Sequence, residues 1–133
     1  MKSRNYVSLP VYQRSLALKD LSTAVASYFS YDGDLFVLPK KSGLRNEIAN
    51  ALFTDASLIS KNLVEAATAS SKKIRNKNIT YINIMTRNIL AYCNGLEKDG
   101  VKEKEYVQLL RKDIRSFRAD FKQWRKSLIS SED

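Results

Sequence analysis

The last quarter of the chain carries cations at helical spacing. Between residues 109 and 128, bulky apolar residues alternate in steps of four and three, which predicts one buried helix face. These residues are Leu110, Ile114, Phe117, Phe121, Trp124 and Leu128. One position after most of them stands a cation, and we call these cations the basic stripe: Arg111, Arg115, Arg118, Lys122 and Arg125. The stripe, about 20 Å long, is either a binding surface for phosphate groups or a solvated surface whose cations pair with acids of a neighbouring helix.

Two shorter basic segments could also bind phosphate groups. The segment "SSKKIRNKN", residues 70–78, is predicted to be a loop, and it carries Lys72, Lys73, Arg75 and Lys77. A merely mobile loop tip is the alternative. The other cations, Lys40, Lys41 and Arg45, lie around the predicted start of the second helix. A helix N-terminus already attracts anions, so cations there do not improve the helix and point to a ligand.

The overall charge favours polyanionic partners. The 133 residues include 23 Lys and Arg against 14 Asp and Glu, a net charge of +9. Such an excess attracts nucleic acid first, and then anionic membrane surfaces or acidic proteins, although a soluble basic domain with no such partner is the alternative. No RNP-type, KH or helix-turn-helix motif is evident. We therefore expect contacts to the phosphate backbone, weak sequence preference and strong salt dependence.

Most catalytic chemistry is excluded by composition. The chain has no histidine, which removes histidine bases, triads and metal ligands. Cys93 is the only cysteine, so zinc fingers and intramolecular disulfides cannot form, and its place on an apolar face predicts a buried thiol. Phosphate-binding glycine loops are absent, and no acids show the paired spacing of a carboxylate metal site. We expect no enzyme activity, no metal and no cofactor.

The chain is predicted to be a single all-α domain. Only 4 glycines and 2 prolines interrupt the periodic segments. Helices are expected at about 9–29, 44–69, 79–98 and 102–129. Ser8 and Pro10 suit the first helix start, whereas Asp32-Gly33 and Pro39 predict a non-helical segment before the second. Four helices of similar length with short connections indicate an antiparallel up-down four-helix bundle.

The buried faces follow from the same periodicity. Tyr28 lies on the apolar stripe of the first helix, and Leu44 begins that of the second. Asp55 falls near the apolar stripe of the second helix. Either it is a buried group with a partner, or the apolar face drifts around the helix and passes beside it. The second alternative is favoured because an unpaired buried carboxylate is costly.

The third helix has a second apolar flank, which suggests burial both inside the bundle and against another subunit. Its inner positions are Ile79, Ile82, Thr86, Ile89, Cys93 and Leu96, and the flank is Ile84, Met85, Leu90 and Tyr92.

Neither a signal peptide nor an apolar run long enough for a membrane span is visible, so we expect a cytoplasmic protein.

Three segments resemble a bacterial four-helix-bundle family. They are "VLPKKSGLR" (37–45), "LISKNLVEA" (58–66) and "ITYINIMTRNILAYCNGL" (79–96). The second is similar to Ser-Ile-Pro-Ser-Asn-Ile-Ala-Glu-Gly of the 23S rRNA intervening-sequence proteins, with Ser60 in place of Pro and Ala66 in place of Gly. The first resembles Ile-Pro-Arg-Lys-His-Gly-Val-Ala-Arg of the accessory variability determinants of diversity-generating retroelements, with Ser42 in place of His.

The resemblance to the accessory branch implies a non-catalytic homo-oligomer, a pentameric barrel. It also implies a basic surface that associates with nucleic acid and with a reverse transcriptase during mutagenic retrohoming. The intervening-sequence branch implies the alternative, a structural or protein-interaction bundle with no specific nucleic-acid role. The family assigns no individual nucleic-acid contacts, so the candidate residues rest on charge patterning.

Overall fold

The computed structural model describes residues 6–30 and 39–131, with the side chains of 39–42 and 130–131 left outside the description. Four helices make up these ranges: α1 Pro10–Phe29, α2 Pro39–Ala67, α3 Lys72–Lys98 and α4 Lys104–Ser131. Each helix packs against two others, in the closed order α1, α2, α3, α4 and back to α1. The predicted all-α four-helix architecture is confirmed.

Side-chain contacts show that adjacent helices run antiparallel. The ring centroids of Tyr28 and Tyr106 lie 4.9 Å apart, and Arg14 pairs with Asp120 at the other end of α1 and α4. Asp55 of α2 contacts Asn88 and Tyr92 of α3, and Glu97 near the end of α3 contacts Arg111 near the start of α4. The connection between α2 and α3 spans only residues 68–71, too short for anything but an antiparallel neighbour.

Both prolines stand at helix starts. Pro10 opens α1 as predicted, but Leu9, not Ser8, is the capping residue, and its side chain makes no capping hydrogen bond. Pro39 opens α2, so the expected start at residue 44 is about one turn late. Proline is incompatible only with the helix interior, because the N–H that it lacks has no partner in the first turn. The turn expected at Asp32-Gly33 lies outside the described residues.

The loop predicted for residues 70–78 is wrong from residue 72 onward, because α3 begins at Lys72. The Ser71 side chain caps the helix and accepts a hydrogen bond from the Ile74 N–H at 3.2 Å. Asn78 is 5% exposed, and its amide donates to the Ile74 carbonyl at 3.0 Å. A capping serine and a buried asparagine therefore extend the helix through a segment whose composition favours a loop.

One continuous core fills the space between the helices. The predicted seam of α4 is buried from Leu110 to Trp124, and all the predicted inner positions of α3, including Cys93, are buried. Two predicted core positions are wrong: Leu44 is 56% exposed and Tyr28 is 53% exposed. Both lie near the ends of their helices, and neither belongs to the continuous core. Tyr28 packs edge-on against Phe29 and Tyr106.

Glycine permits two local features of α3. Gly95 faces α2 so closely that a Cβ there would lie 2.9 Å from Cδ1 of Ile48. Gly100 ends the helix with a φ of 81°, a left-handed conformation that strains any other residue. Gly95 therefore leaves room for the Ile48 side chain of α2, and Gly100 permits the tight turn into α4. None of the described helices combines the length and the hydrophobicity that a membrane crossing requires.

Candidate nucleic-acid interface

The basic stripe lies on the side of α4 that faces α3. Burial of the Leu110–Trp124 seam fixes the rotation of α4 about its axis. The positions one residue further on then point to the edge shared with α3, where Arg111 contacts Asn94 and Glu97. Two turns further along, Arg118 and Lys122 lie beside Asn83.

The first residue of the stripe is engaged in an ion pair. Arg111 donates from Nη2 to Oε1 of Glu97 at 2.7 Å and from Nη1 to Oε2 at 3.1 Å. Its Nη2 also donates to the Asn94 side chain at 2.8 Å. This pairing raises the pKa of Arg111 and lowers that of Glu97. Arg111 therefore joins α3 to α4 rather than presenting an unpaired charge.

The other four residues of the stripe have no acidic partner in the described part of the chain. Arg115, Arg118, Lys122 and Arg125 are exposed. No carboxylate among the described side chains lies within 4.0 Å of their charged nitrogens. The guanidinium of Arg125 lies 5.8 Å from the centroid of the Phe121 ring, a contact that leaves its charge available.

The sequence of α3 explains why these cations are unpaired. From Lys72 to Leu96 this helix contains no acidic residue, and Glu97 is its only acid. The acids Asp113 and Asp120 of α4 turn toward α1, where Asp120 lies 3.1 Å from Arg14. Among the described residues, the face formed by α3 and α4 therefore has one carboxylate, which Arg111 occupies.

A groove of about 340 Å³ opens in this face between the two helices. Six residues line it: Asn83, Arg118, Ala119, Phe121, Lys122 and Arg125. Three of them are cations of the stripe, and Asn83 is a neutral donor and acceptor. We call this the α3–α4 groove.

The cations of residues 72–77 lie at the end of the bundle where the basic stripe also ends. Because α3 and α4 are antiparallel, the start of α3 lies beside the end of α4, which also carries Arg125. Lys73 and Lys77 are exposed, and Nζ of Lys77 lies 5.9 Å from the centroid of the Tyr81 ring. Lys72 and Arg75 each have an interaction partner. All four predicted residues are helical rather than on a mobile tip.

The third predicted group lies at the opposite end of α3, about 40 Å away. Arg45 donates from Nε to Oδ2 of Asp99 at 2.7 Å and from Nη2 to the Asp99 carbonyl at 3.1 Å. It therefore joins the start of α2 to the end of α3. Lys40 and Lys41 stand in the first turn of α2, but their side chains lie outside the described residues.

Two residues of the basic face were missed from the sequence. Asn83 lines the groove, and Arg87, one turn further along α3, is exposed, with Nε donating to the Asn83 carbonyl at 3.4 Å. Both lie outside the clusters of cations on which the prediction relied. The acid-free run from residue 72 to 96 was the available signal, because it makes α3 a natural neighbour of an unpaired basic stripe.

A polar cluster between α2 and α3 corrects the interpretation of Asp55. Its carboxylate accepts hydrogen bonds from the Tyr92 hydroxyl at 2.7 Å and from the Asn88 amide at 3.3 Å. Asp55 is half-buried with partners, so drift of the helix face is not the explanation. Burial and the Asp55 carboxylate raise the pKa of Tyr92 to about 12.

Side chains suited to nucleophilic or metal chemistry do not gather elsewhere in the described part of the chain. Burial raises the pKa of Cys93 to about 11, which keeps the thiol protonated at neutral pH. Within residues 6–30 and 39–131, no three acids or cysteines lie close enough to hold a metal ion.

Comparison with models of known protein families, with curated proteins and with solved structures finds no match for this chain.

Proposed function

We propose that this chain is a non-catalytic accessory protein that binds nucleic acid through the face formed by α3 and α4. The observation that carries the proposal is the lack of acids on α3 opposite the unpaired cations of the stripe. Cations that serve only solubility normally alternate with acids, as on most protein surfaces. Here Arg115, Arg118, Lys122 and Arg125 share one edge, and Arg87 adds a charge from α3.

The expected binding is dominated by the phosphate backbone. The guanidinium groups of the stripe match phosphate oxygens in pairs, and they are spaced by one helical turn, so several phosphates of one strand can be contacted together. Core aromatic residues such as Phe117 are buried and offer no platform for base stacking. Sequence preference is therefore weak, and affinity falls steeply with salt.

Self-association is the second part of the proposal. The exposed apolar side chains of α2 and α3 include Leu58 at 38%, Tyr81 at 43% and Ile84 at 42%. The contact of Asp55 with Asn88 sets a register in which Leu58 lies beside the Ile84 region. Exposed apolar residues grouped in this way are typical of subunit interfaces. The resemblance to the accessory proteins supports five copies in a ring.

Light scattering coupled to size-exclusion chromatography tests the assembly. Wild-type protein is expected as a homo-oligomer, and Ile84→Glu as a folded, smaller species. Ala24→Glu, at an exposed position of α1, is the matched control and should leave the mass unchanged. A monomeric wild-type protein would contradict the assembly without bearing on nucleic-acid binding.

Association with a reverse transcriptase rests on the resemblance alone. The resemblance implies a protein of the bacterial cytoplasm that acts together with an enzyme copying a template RNA. The test is co-purification of the chain with the reverse transcriptase encoded nearest to its gene, after nuclease treatment. Loss of the complex on nuclease treatment would mean that the two proteins share only a nucleic acid.

Nucleic-acid binding is tested by fluorescence anisotropy with a labelled structured RNA and a matched DNA duplex across a salt series. We expect micromolar or tighter affinity at moderate salt, with about 0.9 log units lost per log unit of salt for each duplex phosphate neutralised. Changing Arg115, Arg118 and Lys122 together to Glu should abolish most of this binding. The control, Lys19, Lys61 and Lys102 changed to Glu, alters net charge equally on other surfaces.

A structural bundle without a nucleic-acid role is the alternative function. Arg111 with Glu97 and Arg45 with Asp99 favour it, because these cations demonstrably join helices. This alternative predicts no binding of RNA or DNA at moderate salt. It also predicts that the two triple variants behave alike.

A further inference from the structure

The α3–α4 groove differs from the rest of the basic face because it is concave. Ala119 is small, and it lines the groove together with Arg118, Lys122 and Asn83 of α3. The ring of Phe121, only 3% exposed, closes the inner side. A group can therefore enter this groove end-on and be contacted from several directions, whereas the convex part of the stripe contacts a strand from one side.

The polar groups around the groove suit a compact anion. Arg118, Lys122 and Arg125 contribute three positive charges, and none of the described carboxylates lines the groove. The carboxamide of Asn83 makes no hydrogen bond to any side chain or backbone group in the described ranges, so its N–H₂ can donate to a ligand. The ligand should therefore carry more than one negative charge and several acceptor oxygens.

Among the phosphate groups of a nucleic acid, this combination selects the terminal one. An internal phosphodiester carries one charge and has two oxygens outside the chain. A phosphate monoester carries a charge of about −1.5 to −2 at neutral pH and presents three acceptor oxygens. It also has a free end that can enter a groove, which a diester in the middle of a strand lacks.

We propose that the α3–α4 groove, through Asn83, Arg118, Lys122 and Arg125, binds a phosphate monoester of the kind that ends a phosphorylated nucleic-acid strand. This inference deepens the proposed function, since the stripe beyond the groove would hold the phosphodiesters that follow. The protein would then engage strand ends in preference to internal segments.

The test compares three single-stranded oligonucleotides of one sequence, with a 5′-phosphate, with a 3′-phosphate and with hydroxyls at both ends. Anisotropy at constant moderate salt is expected to show about five- to tenfold tighter binding for at least one phosphorylated form, the size expected of charge-assisted hydrogen bonds in a solvent-exposed groove. Equal affinities for all three would overturn the inference but not the proposed function. Failure of all three to bind would overturn the inference, and the proposed function would also fall if the structured RNA and the DNA duplex do not bind.

Ala119→Leu fills the groove without changing the charge. This variant should lose the preference and bind the phosphorylated and the hydroxyl forms with equal affinity, because the preference between the two forms depends on the open groove. Ala17→Leu, at an exposed position of α1, is the matched control and should behave as wild type. Asn83→Asp, which places a carboxylate in the groove, is a second variant with the same expected loss, and a preference that survives in both folded variants would overturn the inference.

A nucleoside monophosphate distinguishes the two sources of such a group. Added as a competitor, it should displace the phosphorylated strand only at concentrations far above the dissociation constant of the strand, because the stripe holds the rest of the chain. Competition at equal concentrations would also support a monoester site, and would identify the free nucleotide as its ligand.

Discussion

Arg111 of α4 holds both carboxylate oxygens of Glu97 of α3, with nitrogen–oxygen distances of 2.7 and 3.1 Å. Glu97 is the only acid of its helix, so this pair uses the one carboxylate that α3 offers. Arg111 thus has a structural partner, whereas Arg118, two turns further along the same edge, has none within the described side chains. Two arginines of the same stripe therefore differ in their contacts, because only Arg111 lies next to the one acid of α3.

Arg111→Ala should lower the stability of the bundle, whereas Arg118→Ala should weaken its binding to nucleic acid. Arg111→Ala removes the ion pair of Glu97, which keeps only the Gln108 amide as a donor among the described residues, and leaves the Asn94 carbonyl oxygen without its donor. It is expected to cost about 1 kcal/mol of unfolding free energy, with little change in nucleic-acid affinity. Arg118→Ala should leave stability nearly unchanged and reduce the slope of log affinity against log salt by about 0.9 if one duplex phosphate contact is lost. Urea unfolding and the anisotropy salt series measure the two quantities on the same preparations.

The reverse outcome is equally informative. An Arg111→Ala protein that binds nucleic acid several times more weakly would show that the ion pair opens in the complex. An Arg118→Ala protein with wild-type affinity and salt slope would remove the groove from the interface.

Periodicity predicted the core of this bundle because burial repeats along a helix with a fixed period. Phe117 and Trp124 are buried where the spacing placed them. Helix ends were predicted less well, since they depend on single residues. Ser71 caps α3 ahead of a basic run that resembles a loop, and Pro39 opens a helix that proline was expected to precede.

The candidate interface was only partly visible in the sequence, because partners come from other helices. The register of α4 against α3 decides that Arg111 meets Glu97, and no spacing within α4 contains that information. The same holds for Asp55, whose partner Tyr92 lies 37 positions away. Asn83 was missed because a neutral residue becomes notable only once the groove beside it is known.

Phe117→Ala should cost about 3–5 kcal/mol of unfolding free energy, because the side chain is 0% exposed and its removal leaves a cavity between the helices. Phe53→Ala, at a position 47% exposed on α2, is the matched control and should cost less than about 1 kcal/mol. Chemical denaturation of both variants gives the comparison. A loss at Phe117 as small as that at Phe53 would mean that the core adjusts to fill the space.

Tyr92→Phe removes the hydroxyl that donates to Asp55 and is expected to cost about 1–2 kcal/mol at neutral pH. The pKa of this hydroxyl is about 12 in the folded chain, above its ordinary value of 10.0, because burial and Asp55 disfavour the phenolate. The folded state therefore retains a proton that the unfolded state releases, and this contribution is full below pH 10 and is lost as pH rises toward 12.

Urea unfolding at pH 8 and at pH 11 tests this dependence. The stability gap between wild type and Tyr92→Phe should narrow at the higher pH, whereas Tyr81→Phe, at a position 43% exposed, should match wild type throughout. A gap that is constant with pH would mean that the Tyr92 hydroxyl titrates as an ordinary phenol.

Removing the charge of Asp113 should raise the stability of the bundle at neutral pH, whereas Tyr92→Phe lowers it. Its Oδ2 is buried without a hydrogen-bond partner among the described atoms. Burial raises the pKa of this carboxyl above its ordinary value, and Arg14 opposes the rise only in part. The folded chain therefore favours the protonated carboxyl. As pH rises, the unfolded chain releases this proton first, so the free energy of unfolding falls until the folded carboxyl is also ionised.

Asp113→Asn should for this reason stabilise the bundle at pH 7, by up to about 1 kcal/mol because the group is partly solvated. The gain should disappear near pH 3, where wild-type Asp113 is protonated and resembles asparagine in charge. Asp20→Asn, at an exposed position of α1, is the control and should change stability little at either pH. If Asp113→Asn instead lowers stability at pH 7, the carboxylate has a favourable charge interaction with α1 that outweighs its burial, and Arg14 is the residue to change next.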